Sequence, residues 1–286
     1  MLSYRHGFHA GNFVDVHKHI TLMLLLESLK KKDTPFCYID THAGAANYDL
    51  RSDFAQKNRE YETGISRLWE LDSFPPAVAA YLAAVKKVNS GIPTDRKIPR
   101  YYPGSPVIAH QMLRPQDCMI LMELHNTEAP ILKEYFKDDA QVGVHHRDGF
   151  EGLGGMVPPE ERRGLVLIDP AYEIKGEFDR VVEVLTDAWG KWPAGIYAVW
   201  YPVQKKQPVP QFHYDLRNSG IKKIYLHEFS VIADAAPNRL SGTGMVIINP
   251  PWKFDEQIKP VLDWLVPVLD RGSHLPVKSE WLVPEK

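Results

Sequence analysis

Two stretches of the chain run from aliphatic residues into a polar residue, a proline and an aromatic ring. Gly164-Leu165-Val166-Leu167-Ile168 ends at Asp169-Pro170-Ala171-Tyr172, and Met245-Val246-Ile247-Ile248 ends at Asn249-Pro250-Pro251-Trp252. Such a run, closed by turn residues, reads as a buried strand. In open α/β sheets, ligands bind beyond the carboxyl ends of the strands. A carboxylate, a proline carbonyl and a planar ring can grip the exocyclic amine of a flat base, because the oxygens accept its two hydrogens while the ring stacks on its face. The Asn249 copy has the fuller Pro-Pro pattern. Strand order favours the other one: Asp169 ends a strand expected beside the first strand, whereas Asn249 ends a hairpin. Asp169, Pro170 and Tyr172 are therefore the candidate catalytic group.

Other chemistry-bearing residues also follow strand-like runs. Tyr38-Ile39-Asp40 leads into Thr41-His42-Ala43-Gly44-Ala45-Ala46, whose small side chains let a ligand approach the backbone. Met119 to Leu124 carries Glu123, placed to accept both hydroxyls of a ribose. Arg147-Asp148-Gly149-Phe150 offers Asp148 to an adenine amine and Phe150 to its ring, although Asp-Gly is also a common turn. Ser105 before Pro106 suits either a helix N-cap or a cofactor contact. His6, His9, His17 and His19 crowd the amino terminus without a cysteine pair or His-Glu-x-x-His spacing, and positions 17 and 19 lie on different helix faces, so no metal is expected. Lys18-His19 can instead reach a cofactor carboxylate.

The elements that must position these residues follow from periodicity. Asn12 is a plausible cap for an amphipathic helix from Phe13 to Lys31. Strands are expected at Phe36 to Thr41, Cys118 to Leu124, Val142 to His145, Leu165 to Asp169, Ile196 to Tyr201, Ile224 to Phe229 and Met245 to Asn249, mostly separated by helical patterns, one of them capped by Asn126. The long segment after the first strand, with helical patterns at Tyr61 to Leu71 and Ala77 to Asn89, exceeds a simple crossover and reads as an insertion. The last two strands are joined without a helical period and should pair antiparallel.

Composition narrows the function classes. The 286 residues, 44% hydrophobic, can bury one large core or one core with an inserted lobe. A net charge of −2 excludes a broad cationic coat, but basic groups at Arg96-Lys97 with Arg100, Arg162-Arg163, Lys205-Lys206 and Lys222-Lys223 leave phosphate contacts open. No apolar run approaches the roughly 20 residues of a membrane span, and the amino terminus lacks a signal-like apolar region. A cytoplasmic protein without a membrane partner is expected, with Cys37 and Cys118 as buried reduced thiols.

The opening Met-Leu-Ser-Tyr-Arg-His-x-Phe-His-Ala-Gly-Asn, the Asp-Thr-His-Ala-Gly loop, Tyr-Tyr-Pro-Gly-Ser-Pro, the Asp-Gly turn, Leu-Ile-Asp-Pro, Ala-x-Trp-Tyr-Pro and Asn-Pro-Pro-Trp together resemble the RlmJ family. These are bacterial methyltransferases for adenine N6 in 23S ribosomal RNA, and the match runs nearly end to end. The resemblance implies S-adenosylmethionine as cofactor, without a metal. It implies His19, His42, Ser105, Glu123, Asp148 and Gly149 around that cofactor, Asp169 as the catalytic acceptor and Tyr4 at the substrate entrance. The expected partner is 23S rRNA, protein-free or early in assembly, acted on by a monomer. The expected fold is α/β: a single domain over 1–286 with a Rossmann-like class I methyltransferase sheet, mostly parallel with an antiparallel last strand, and a small helical insertion over 50–95. Two positions depart from the family pattern: Ala46 replaces a glycine, and Ala171 replaces the second proline, loosening the motif.

Overall fold

The computed structural model describes residues 4–92, 98–205, 207–233, 236 and 240–285. Met1-Leu2-Ser3, the Arg96-Lys97 pair, Lys206 and part of the 233–243 connection lie outside these residues, as does the end of the 50–95 segment.

The chain enters through a short 3-10 turn, His6–Phe8, into helix α1 (Phe13–Lys30). The Asn12 side chain caps this helix, accepting from the N–H groups of Val14 at 2.9 Å and Asp15 at 3.0 Å. The following elements are β1 (Cys37–Asp40), β2 (Asn47–Asp49), α2 (Asp53–Asn58), α3 (Ile65–Trp69), α4 (Pro76–Val88), β3 (Tyr101–Pro103) and α5 (Ser105–His110). Next come β4 (Cys118–Glu123), α6 (Glu128–Tyr135), β5 (Val142–His146), α7 (Gly149–Met156), β6 (Gly164–Ile168) and α8 (Glu177–Lys191). The chain closes with β7 (Ile196–Val203), α9 (Val209–Asn218), β8 (Ile224–Ser230), β9 (Gly242–Ile248), α10 (Phe254–Leu269) and β10 (Lys278–Val283).

The main sheet has the order β10-β8-β9-β7-β6-β1-β4-β5. Strands β5, β4, β1, β6 and β7 run parallel; β1, β6 and β7 are buried almost throughout, as parallel strands covered on both faces should be, while β5 is a half-exposed edge. Strand β9 inserts antiparallel between β7 and β8, and the β8–β9 pair is the expected hairpin. This is the expected α/β sheet, mostly parallel with an antiparallel strand among the last. The sequence reading missed β10, an antiparallel edge strand on β8. Its half-exposed alternation of Lys278, Glu280 and Trp281 gives little apolar signal. Helix α1 contacts both α5 and α10 on one side, and α7, α8 and α9 form a second series.

Between β2 and β3, which pair antiparallel, the chain runs through α2, α3 and α4. Helix α4 packs on α1, and α3 on α10. This covering explains a departure from expectation: α1 is not amphipathic but buried on nearly every side from Phe13 to Met23, with only Glu27 fully exposed. Its first turns bury Asp15, His17, Lys18 and His19. Charged groups out of water must be paired, and their partners define the site.

Candidate active site

The parallel strands deliver their carboxyl ends to one edge of the sheet. There the loop after β1, Glu123 at the end of β4, Asp148 after β5 and Asp169 after β6 come together. Strand β1 has β4 on one side and β6 on the other, so the chain winds in opposite directions from it and leaves a crevice at this switch point. Because β9 is antiparallel, Asn249 emerges at the other edge. Its amide donates to the carbonyls of Pro193 at 2.6 Å and Gly195 at 2.8 Å, and Trp252 beyond it is 82% exposed. The better-looking copy of the motif is therefore a structural turn.

One cavity in the crevice is lined by His19, His42, Gly44, Ser105, Glu123, Glu128, Asp148, Gly149, Pro170 and Arg180, among others. All six residues expected around a cofactor face it. A second cavity holds His9, Asn12, Glu60, Tyr172, Glu173 and Arg271. The two share Tyr4, His6, Lys18, Asp169, Ala171 and Trp200 as a common wall. Asp169 thus stands where two lobes meet.

The first lobe is built by close backbone approach. A Cβ on Gly149 would lie 1.9 Å from the Thr41 carbonyl oxygen, so only glycine lets α7 start against the β1 loop. Glu123 uses one oxygen to accept from the Gly44 N–H at 2.7 Å and the other from the His125 N–H at 2.6 Å, which leaves a lone pair on each. Burial raises its pKa against these donors. Beside it, Glu128 Oε2 is buried and accepts from nothing among the described residues. Asp148 caps α7 through Oδ1, accepting from Phe150 N–H at 2.8 Å, while Oδ2 accepts from Arg180 at 3.1 Å. The Arg180 guanidinium lies 4.7 Å from the Phe150 ring centroid. Burial pushes His42 down to about 4 and His19 down to about 3, so both rings are neutral. His19 Nδ1 is 2.9 Å from the Tyr102 hydroxyl, which itself meets Tyr81 at 2.9 Å.

At the junction, Lys18 is 3% exposed and donates to Asp169 Oδ2 while pairing with Asp15 Oδ1 at 3.0 Å. Burial would lower the Lys18 pKa, but Asp169 and Asp15 together raise it above its ordinary value. Asp15 is fully buried; that burial is outweighed by His6 and Lys18, which hold its carboxyl well below the usual range. Its Oδ2 accepts from Gly11 N–H at 2.9 Å and meets His6 Nε2 at 2.9 Å, and His6 Nδ1 meets the Tyr4 hydroxyl at 2.8 Å. Tyr4 stacks on His9 at 5.3 Å. The four amino-terminal histidines therefore have four different partners: Asp15 for His6, Glu60 for His9, His227 for His17 and Tyr102 for His19. Tyr172, at φ 53°, donates to the Trp200 carbonyl at 2.8 Å and packs 4.4 Å from Phe178 and 5.6 Å from Trp200; it is buried and lines the second lobe. No donor among the described residues is bonded to the Pro170 carbonyl.

Lys18, expected to reach a cofactor carboxylate, lines the first lobe and is held between the protein carboxylates Asp169 and Asp15. Two expectations need correcting. Ser105 is not a cap: Gly104 is the cap residue, and the Ser105 hydroxyl donates to Asp40 Oδ2 at 2.8 Å. Thr127, not Asn126, precedes α6, and it makes no side-chain cap bond. Asp40, pushed up to about 6 by burial, also accepts from the Tyr38 hydroxyl at 2.7 Å and His42 N–H at 3.2 Å, bracing the β1 loop. The sequence reading gave no role to Asp15, Asp40, Glu128 or Arg180. For Asp15 and Lys18 a signal existed, an acid–base pair three residues apart on one helix face.

Comparison with known proteins agrees over the whole chain. Residues 33–283 match a family model described as "Ribosomal RNA large subunit methyltransferase D, RlmJ". The chain is 44% identical over 285 residues to Ribosomal RNA large subunit methyltransferase J of Escherichia coli strain K12, covering 100% of both. The protein of that name from Haemophilus influenzae is likewise 44% identical, with 100% of both chains covered. A crystal structure of a protein from Legionella pneumophila superposes with a TM-score of 0.86 at 37% identity, covering 96% of this chain and 98% of that one.

Proposed function

The chain belongs to the RlmJ family of ribosomal RNA large subunit methyltransferases, and from there we propose that it methylates N6 of an adenine in 23S ribosomal RNA. The observation that carries this reading is the position of Asp169 between two lobes, with Lys18 on Oδ2. One lobe suits the cofactor and the other a base drawn out of its stack.

The donor set of the first lobe fits S-adenosylmethionine. Glu123 has a lone pair free on each oxygen for a ribose diol, and Asp148 shares Oδ2 between Arg180 and an adenine amine. If the Tyr102 hydroxyl donates to Nδ1 of neutral His19, the proton sits on Nε2, available to a carboxylate. When bound, the cofactor supplies an electrophilic methyl. The protein's part is to aim an amine at it. Asp169 Oδ1 and the Pro170 carbonyl accept the two N6 hydrogens, which turns the nitrogen lone pair toward the methyl and stabilises the positive charge that grows on N6. Tyr172, its hydroxyl fixed on Trp200, offers its ring to the base in the second lobe, and Tyr4 borders the entrance. After transfer, the N6 proton passes to Asp169 or to water. We assign the whole of 1–286 to one methyltransferase domain, with residues 50–95 as its insertion.

Methyl incorporation from labelled S-adenosylmethionine into a protein-free 23S rRNA transcript, into duplex DNA and into single-stranded DNA tests this directly. We expect N6-methyladenine in the rRNA alone. Methyl groups at another atom, or a preference for DNA, would overturn it.

A further inference from the structure

Fixed charge in the cofactor lobe is one-sided. Glu123, Glu128, Asp148 and Glu177 line it, Arg180 is the sole guanidinium among its described lining residues, and Lys18 is held by Asp169 and Asp15. Of the four histidines in its wall, His6, His19, His42 and His125, burial keeps His19 and His42 neutral, and His6 is bonded to Asp15. Three of the acids have protein donors: Glu123 has two main-chain N–H groups, Asp148 has α7 and Arg180, and Glu177 has the Ile174 N–H. Glu128 differs. Its Oε2 is buried in the wall of the lobe, without any donor among the described residues. It lies close enough to Glu123 to raise that group's pKa further. A buried acceptor without a partner is costly in the empty protein, and a second carboxylate beside it adds repulsion. Both costs fall when a cation enters.

We propose that Glu128, backed by Glu123, makes this lobe select the positively charged cofactor over its neutral product. The inference rests on the cofactor assignment above and concerns how the same site tells the two forms apart. The reaction itself removes the charge. The N6 lone pair forms the new C–N bond while the C–S bond breaks with its electrons left on sulfur; the sulfonium becomes a neutral thioether, and the proton leaves N6. The ribose, adenine and methionine contacts are the same before and after, so they give no reason for product to leave. An unpaired carboxylate in a partly water-excluded wall does: its attraction for the ligand disappears with the methyl group. Methyl transfer thereby loosens its own product.

The test is calorimetric binding to three ligands: S-adenosylmethionine, S-adenosylhomocysteine and sinefungin, in which an ammonium replaces the sulfonium. We expect wild type to prefer both cationic ligands. Glu128→Gln, which keeps shape and removes charge, should weaken both by on the order of tenfold, while homocysteine-form affinity changes less than about threefold. Retained binding of the neutral product shows that the variant is folded. Equal weakening of all three ligands, or an unchanged preference, would overturn the role given to Glu128. Failure of wild type to bind any of the three would instead remove the cofactor assignment beneath it.

Discussion

Replacing Lys18 by methionine separates the two duties of the junction. Lys18 lies between two carboxylates whose side chains are 0% exposed at Asp15 and 13% exposed at Asp169. Methionine keeps the aliphatic stem and deletes the cation, leaving two buried acids facing each other across a low-dielectric gap. Removing one partner of a buried ion pair costs about 3–5 kcal/mol, which for a chain of this size lowers the melting temperature by about 6–10 °C. Asp169→Asn should cost less, because Lys18 keeps Asp15. It should instead strike the rate: an amide presents only one acceptor and can turn its NH2 toward the substrate amine. Loss of one preorganised acceptor of developing charge slows turnover by about 100- to 1,000-fold. The double variant removes both the cation and one of its anions, so its stability loss should be smaller than the two singles added, by about 1–3 kcal/mol. Thermal melts of the four proteins, with single-turnover methylation and calorimetric cofactor binding, measure all three quantities. A Lys18→Met melt within about 2 °C of wild type would show that the two acids do not depend on Lys18, and an Asp169→Asn rate close to wild type would remove Asp169 from the chemistry.

Stability should fall on mild acidification. His17, His19 and His227 are buried, and burial holds their pKa values below the ordinary 6.5, His19 and His227 at about 3. Their stabilisation is complete above the unfolded value and is lost as pH falls through the window from 6.5 toward 3, because the unfolded chain takes up protons that the folded one refuses. At pH 5.5 His19 and His227 together cost about 3 kcal/mol, and His17 adds to the loss; equal urea-unfolding free energies at pH 7.5 and 5.5 would contradict this. Gly149→Ala should disrupt the cofactor lobe, since its Cβ would meet the Thr41 carbonyl at 1.9 Å. We expect cofactor affinity to drop by on the order of tenfold or more, read by calorimetry, and undiminished affinity would show that the loop yields.

Local sequence was enough to read the strands, the cap at Asn12 and the order in which Glu123, Asp148 and Asp169 follow their strands. These are properties of local periodicity and of residues beside one another in the chain. It also favoured Asp169 over Asn249, because the connection before Asn249 lacks a helical period and so places it on a hairpin strand, away from the first strand. Pairings across the fold were not legible. Whether α1 is amphipathic or buried depends on α4, α5 and α10 covering it, and only then must Asp15 and Lys18 find partners. That Lys18 reaches Asp169, 151 positions away, follows from α1 packing against β6. Likewise the orphaned oxygen of Glu128 exists only because the wall around it is closed. Periodicity reports which residues share a face; the energy of a buried charge depends on what the other faces bring to it, and that was decided by tertiary packing alone.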